Sequence, residues 1–302
     1  MIAGHRRLCQ AWCWLKRGML QLSRLGVPLL AGVFCATGNA DQVVRFAPLP
    51  MQRSEHVLKQ YQPMLDYISS RTGIRFELVY TVDYDELLRE FGAGRVDMAY
   101  LGPLPYVALT ERYEGIVPLV SFRNAEGRDR YTCSLFRRGG EEPARDSSGV
   151  AGLTQPLSTC GYLSSEMLLQ STGDSLTRRR YRFAGTHTDV ILGVLLGDFE
   201  LGGAKTAIVR RYAHLGLRTI AETHPWPGFL LAINRETVPR DTRERIAKSL
   251  LDLEPLSRQE DAEITASWGN NLKYGVTPSS DCDFDEVRLH YGQMKIPGLG
   301  DD

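Results

Sequence analysis

The sequence predicts an α/β fold built as two lobes. Three observations predict it. Short apolar runs of strand length alternate with stretches whose apolar residues recur at helical spacing, the pattern of repeated β-α-β units. The 302-residue chain is 43% hydrophobic, enough for a substantial core. Extended stretches near residues 128 and 224 read as two crossovers between lobes rather than as parts of one large sheet. The expected organisation is a leader over 1–40, a first lobe from 41–128 and 224–302, and a second lobe from 129–223.

Residues 1–40 carry Arg6, Arg7, Lys16, Arg17 and Arg24 and no acid. An apolar run from Leu25 to Ala36 follows, then the small residues Thr37, Gly38 and Ala40. A basic start, a short apolar middle and a small-residue end make a secretory signal peptide, and the run falls short of the about 20 residues a spanning helix needs. Cleavage is expected after Ala40. Met19 would open a more compact leader and is an alternative start, whereas the bulky Phe34 argues against a lipoprotein signal on Cys35.

Loss of the leader leaves 31 bases against 36 acids, because five of the 36 bases lie in it. This balance provides no basic stripe with which to displace counterions from nucleic acid. Of the six cysteines, Cys133, Cys160 and Cys282 lie beyond the leader, so one bridge can form among them in an oxidising compartment. Its pairing is open.

Along the chain, VVRFAPL from Val43 reads as a strand. Ser54 to Arg71 places Val57, Leu58, Tyr61, Met64, Leu65 and Ile68 at helical spacing and closes at Gly73, with Pro63 expected to kink or split it. IRFELVY is a second strand, Tyr84 to Phe91 a helix, and Val96 to Leu101 a buried strand that breaks at Gly102-Pro103 and restarts as an apolar helix from Leu104. Such units predict a parallel sheet with helices on both faces. IVPLVSF and RYTCSLFRR are extended and separated by the turn RNAEGRD; the loop RRGGEEPARDSSG leads to further β-α units from Val150 to Ile220. The turn HPWPG introduces the strand GFLLAIN, and helices over Arg240 to Leu253 and Arg258 to Trp268 follow.

The chain lacks GxxxxGK, HExxH, GxSxG and paired CxxC motifs, which removes the basis for nucleotide-hydrolysing, zinc-peptidase and α/β-hydrolase readings. GDSL at Gly173 to Leu176 follows a helix, where Gly173 serves as a stop and Asp174 or Ser175 as a cap. In PLSTCGYLSSEMLL, by contrast, Ser158, Thr159 and Gly161 precede a helix, and hydroxyls at a helix start make an anion site. Asp97, on its buried strand, is expected to cap a turn or pair locally. Trp226 is expected to pack at a hinge.

DYDELL at 83–88, RVDMAYLGPLPYV at 95–107, STCGY at 158–162 and AGTHTDVILGVLLGDFELGG at 184–203 come in an order and spacing that resembles the periplasmic phosphate/phosphite/phosphonate-binding proteins of ABC transporters. The resemblance covers most of residues 43–235. It implies a type II periplasmic binding protein, a Venus-flytrap whose chain crosses twice between lobes that clamp a small anion. By matching position, Tyr84 and Tyr106 would wall the first lobe. Ser158, Thr159, Cys160, Gly161 and Tyr162 would form the anion loop, His187 would reach the ligand from the second lobe, and Glu200 would pair with a ligand amino group. Two departures stand out: Cys160 replaces a serine, exchanging a good hydroxyl donor for a weak one, and Glu200 replaces an aspartate.

The resemblance further implies a monomeric periplasmic receptor without metal or cofactor. Its partners would be a phosphonate or phosphate-like anion and an inner-membrane ABC permease. Alternatives are a sensor kinase as partner, a different small anion, or a secreted hydrolase using Ser175 or Cys160, which would need a base within hydrogen-bond reach.

Overall fold

The computed structural model describes residues 42–50, 54–140 and 149–296. The leader, with Met19, Cys35 and the expected cleavage point at Ala40, lies outside them, as do residues 141–148 of the charged loop.

The chain first forms β1 (Val43–Ala47), α1 (Ser54–Thr72), β2 (Arg75–Leu78), α2 (Tyr84–Gly92), β3 (Met98–Leu101), α3 (Pro103–Thr110) and β4 (Ile116–Phe122). Helix α1 buries Val57, Tyr61, Met64, Leu65 and Ile68, the stripe its spacing predicts, while Leu58 is exposed. It is not split at Pro63. Lys59, whose carbonyl loses its donor there, is exposed, so water can replace the missing bond. Helix α3 is buried from Pro103 to Leu109, and Pro103 occupies its first turn, where an N–H would have no partner within the helix.

The chain then passes through β5 (Arg130–Tyr131), β6 (Cys133–Arg138) and β7 (Ala151–Leu153). A helix opens with a wide π turn (Thr159–Leu163) and continues as α4 (Ser164–Ser171). Next come β8 (Tyr181–Phe183), α5 (His187–Leu196), β9 (Leu201–Lys205), α6 (Thr206–Arg211) and β10 (Leu217–Glu222). The return runs through β11 (Trp226–Pro227), β12 (Leu230–Asn234), α7 (Arg240–Leu251), α8 (Gln259–Thr265), β13 (Val276–Pro278) and α9 (Asp285–Tyr291).

Two sheets result, in the orders β13-β4-β12-β3-β1-β2 and β10-β6-β9-β7-β8. Neither is parallel throughout, which corrects the expectation from the β-α-β pattern. β1 pairs in parallel with β2 and β3, but β12 arrives from the other sheet and inserts antiparallel between β3 and β4. In the second sheet β7 is parallel to β8 and β9, whereas β6 is antiparallel to β9 and β10. The segments joining the sheets contain β5 and β11, which pair antiparallel with each other.

Asp97 pairs across the sheet rather than locally. The Arg45 guanidinium donates to its two carboxylate oxygens at 2.8 and 2.6 Å, and the Arg45 backbone N–H adds a third bond at 2.8 Å. This satisfies a carboxylate that is only 3% exposed.

Two features set the second sheet against its helices. Cys133 on β6 is bridged to Cys160 in the π turn, across a sequence separation of 27. On β9, a Cβ at Gly202 would press on Val190 of α5, and one at Gly203 would collide with the Ser165 hydroxyl of α4. The paired glycines therefore let both helices lie against the strand.

Two outcomes follow. The chain-entropy estimate for a loop of this size is about 3.5 kcal/mol, so a Cys133→Ser/Cys160→Ser protein should unfold at markedly lower denaturant; an unchanged midpoint would show that the bridge contributes nothing. Gly203→Ala should destabilise by about 1–3 kcal/mol through overpacking, with Gly203→Ala/Ser165→Gly recovering part of the loss in the same unfolding measurement.

Candidate functional site

Four helices begin at one cleft. Tyr84 is the first residue of α2, Gly102 the cap of α3, Ser158 the cap of the π-opened helix, and His187 the first residue of α5, and all four line a single cavity of about 30 Å³. Helix starts carry N–H groups without intrahelical partners and the positive end of the dipole, so their convergence favours an anion. Gly102 makes no side-chain cap, and a Cβ there would stand 3.3 Å from the Phe229 ring.

The loop before α4 is held from three sides. Ser158 Oγ accepts from the Gly161 N–H at 3.1 Å, which leaves its own O–H free to donate into the cleft. Thr159 Oγ1 accepts from the Leu104 N–H at 3.1 Å, joining this loop to the start of α3. Ser164 Oγ donates to the Thr159 carbonyl at 2.7 Å and accepts from Trp226 Nε1 at 3.0 Å, so the buried crossover tryptophan supports the loop through one hydroxyl. That is the packing role expected of Trp226. Gly161 is buried with its Cα against the Thr154 hydroxyl, where a Cβ has no room.

His187 Nδ1 accepts from the Lys205 backbone N–H at 3.3 Å, which fixes the proton on Nε2 as the ring's donor. Burial, with the Lys205 charge as a second cause, pushes its pKa from the usual 6.5 down to about 4. At neutral pH the imidazole is therefore an uncharged N–H donor. Lys205, at the end of β9, also lines the cleft and supplies the positive charge that His187 does not. Its ammonium lies 4.9 Å from the Tyr131 ring centre and 5.7 Å from that of Phe229. Burial lowers its pKa, with Arg211 acting in the same direction and Glu126 opposing.

Sequence reasoning missed Lys205, Tyr131 and Phe229. The signal available for Lys205 was a lone cation closing the small-residue strand LGGAK, 18 positions after His187. Tyr131 and Phe229 flank the two crossovers and stack at 5.8 Å, and Phe229 stacks in turn on Tyr100 at 5.3 Å. They give the cleft an aromatic wall opposite the helix starts.

Of the residues expected at the site, Tyr84, Ser158, Thr159, Cys160 and His187 line the cleft. Five expectations need correction. Gly161 is buried within the loop and is not among the residues that line the cleft. Tyr106 is fully buried on the far side of α3, where its hydroxyl donates to Asp281 at 2.7 Å and its ring meets Phe284 at 4.5 Å. A single residue step of about 100° along the apolar helix carries Pro105 to the cleft and Tyr106 away from it. Tyr162 packs edge-on against Tyr181, with ring centres 5.9 Å apart. Glu200 accepts from Arg179 at 2.6 Å, and Arg179 also binds Asp174 at 2.8 Å, so this acid belongs to an ion-pair network. Cys160 reaches the cleft as half of a disulfide and has no S–H to donate.

Comparison with known proteins identifies the family and the fold. The family described as ABC transporter, phosphonate, periplasmic substrate-binding protein matches residues 46–284. The phosphate-import protein PhnD of Mycolicibacterium smegmatis is 25% identical over 274 residues, 82% of this chain and 84% of that protein. Two solved structures share the fold. The binding protein component of an ABC phosphonate transporter from Pseudomonas aeruginosa superimposes with a TM-score of 0.68 at 17% identity, covering 83% of this chain and 86% of that one. PhnD1 from Prochlorococcus marinus, in complex with methylphosphonate, gives 0.69 at 12% identity, covering 84% and 98%. With a match that spans both sheets and every element that meets at the cleft, the chain belongs to the family of phosphonate periplasmic substrate-binding proteins of ABC transporters.

Proposed function

We propose that the protein captures a small phosphorus oxyanion, a phosphonate or a phosphate-like ion, and delivers it to an inner-membrane ABC permease. The observation that carries this reading is the meeting of four helix starts, the Ser158 hydroxyl, the neutral His187 donor and the Lys205 cation at one small cleft. Together they can replace an oxyanion's hydration from several directions. The named relatives, a phosphate-import protein and a methylphosphonate-bound receptor, support the same chemistry.

On this reading residues 41–128 with 224–302 form one lobe and 129–223 the other. The β5–β11 pair serves as the hinge, and the ligand shifts the population toward the closed state that the permease recognises. The protein works in the periplasm after loss of its leader, as a monomer, and neither binds nucleic acid nor catalyses a reaction. Two observations support the last point: Ser175 and the carboxylate that it meets, Glu166, are both buried, with Glu166 also accepting from the Leu176 N–H at 2.6 Å, and Cys160 is tied up in its bridge.

Protein starting at Asp41 should gain thermal stability with phosphate, phosphite or methylphosphonate, by about 2.7 kcal/mol at 100 times the dissociation constant. Ser158→Ala and His187→Ala should each weaken that ligand about 10- to 100-fold, the range for a hydrogen bond to a charged group. If the whole set of phosphorus oxyanions left the melting temperature unmoved, the proposal would be wrong.

The depressed His187 pKa also sets a pH dependence. Its folded-state pKa of about 4 lies below the unfolded value near 6.5, so the unfolded chain takes up the proton first as pH falls. Stability contributed by the neutral ring is complete above pH 6.5 and is lost progressively between 6.5 and 4. His187→Gln should therefore show a shallower fall in ligand-free stability over that window. Superimposable profiles would exclude a buried neutral imidazole.

A further inference from the structure

The acid expected to read a ligand amino group does not reach the cleft. Glu200 is bound to Arg179, whose side chain is itself buried, and Arg179 is also held by Asp174. Among the described residues lining the cleft there is no carboxylate, and the formally charged group there is Lys205. Its ammonium is held over Tyr131 and Phe229, and no ion pair engages it among the described residues. Burial and Arg211 lower its pKa, and Glu126 opposes them.

We infer that Lys205 makes this cleft selective by charge, so that it accepts compact oxyanions carrying no ammonium group and rejects aminoalkylphosphonates. The inference rests on the oxyanion reading above and narrows it to a ligand class. An ammonium substituent entering the cleft would leave water, meet a cation already there, and find no carboxylate to pair with. An apolar substituent of the same size would instead meet the rings of Tyr131 and Phe229, which line the cleft.

The test uses a size-matched pair, ethylphosphonate and aminomethylphosphonate, which differ by CH₃ for NH₃⁺, with phosphate as a third probe. Binding is measured by calorimetry on wild type, Lys205→Met and Lys205→Glu. Like-charge juxtaposition costs several kcal/mol, so wild type should prefer ethylphosphonate by about 100-fold or more. Lys205→Met keeps the length of the side chain and should bring the ratio to within about 10-fold, while Lys205→Glu should favour the amino compound. Wild type that binds the pair equally, or a preference that survives Lys205→Met, would overturn the inference and leave the oxyanion reading standing. Wild type that binds none of the three probes would overturn the reading itself.

Discussion

The constraint on which this structure depends is the close approach of helix starts to one another. Their positive ends repel, and their outer N–H groups have no partners within the helix, so bringing four together is unfavourable unless something holds them. Steric permission comes from small residues. Gly202 and Gly203 let α4 and α5 press against β9, Gly161 fits against Thr154, and Gly102 makes way for Phe229. Cross-ties then fix the arrangement: the Leu104 N–H on Thr159, and the Cys133–Cys160 bridge. On the proposed reading an anion would remove the residual repulsion, so that binding and closure would favour each other.

The same parts connect the cleft to the crossovers. Trp226 lies on β11, paired with Tyr131 on β5, and both strands lie on the segments that link the two sheets. Through Ser164 the indole of Trp226 supports the Thr159 carbonyl, while Tyr131 itself lines the cleft. A rotation at the crossovers therefore moves a wall of the cleft and the prop of its anion loop together. If the β5–β11 pair is the hinge proposed above, no long pathway is needed, because hinge and site share residues.

The fold was legible where a local rule sufficed. Alternation of strands and helices, the buried stripe of α1 and the Gly102-Pro103 break all follow from spacing and backbone chemistry. The antiparallel insertion of β12 was not, since strand direction depends on where the chain returns from, and periodicity carries no record of that. At the site, Ser158 and Thr159 could be found because helix-start chemistry is local, whereas His187 came from the family resemblance. Tyr106 misled because an all-apolar helix gives no phase from which to choose its inward face. Glu200 misled for a different reason: its partner Arg179 stands 21 positions away, and only folding brings them together. Lys205 was overlooked because a cation at a strand end ordinarily faces water, and here two rings from distant segments cover it.

A receptor for transport must bind firmly and still let go, and the balance of charges at this cleft fits that requirement. A second fixed cation in place of His187 would strengthen the hold on an oxyanion at every pH and slow its release. The neutral imidazole instead offers a directional N–H without a full charge, and its Nδ1 is committed to the Lys205 backbone, so the donor geometry is set before the ligand arrives. Among the described residues lining the cleft the charge comes from Lys205, and burial already makes that ammonium less comfortable than it would be in water. An arriving anion relieves this desolvated cation as much as it gains from it. On the proposed reading opening would restore water to both, so closure and release would be governed by hydration of one ion pair together with a set of neutral donors that water replaces readily.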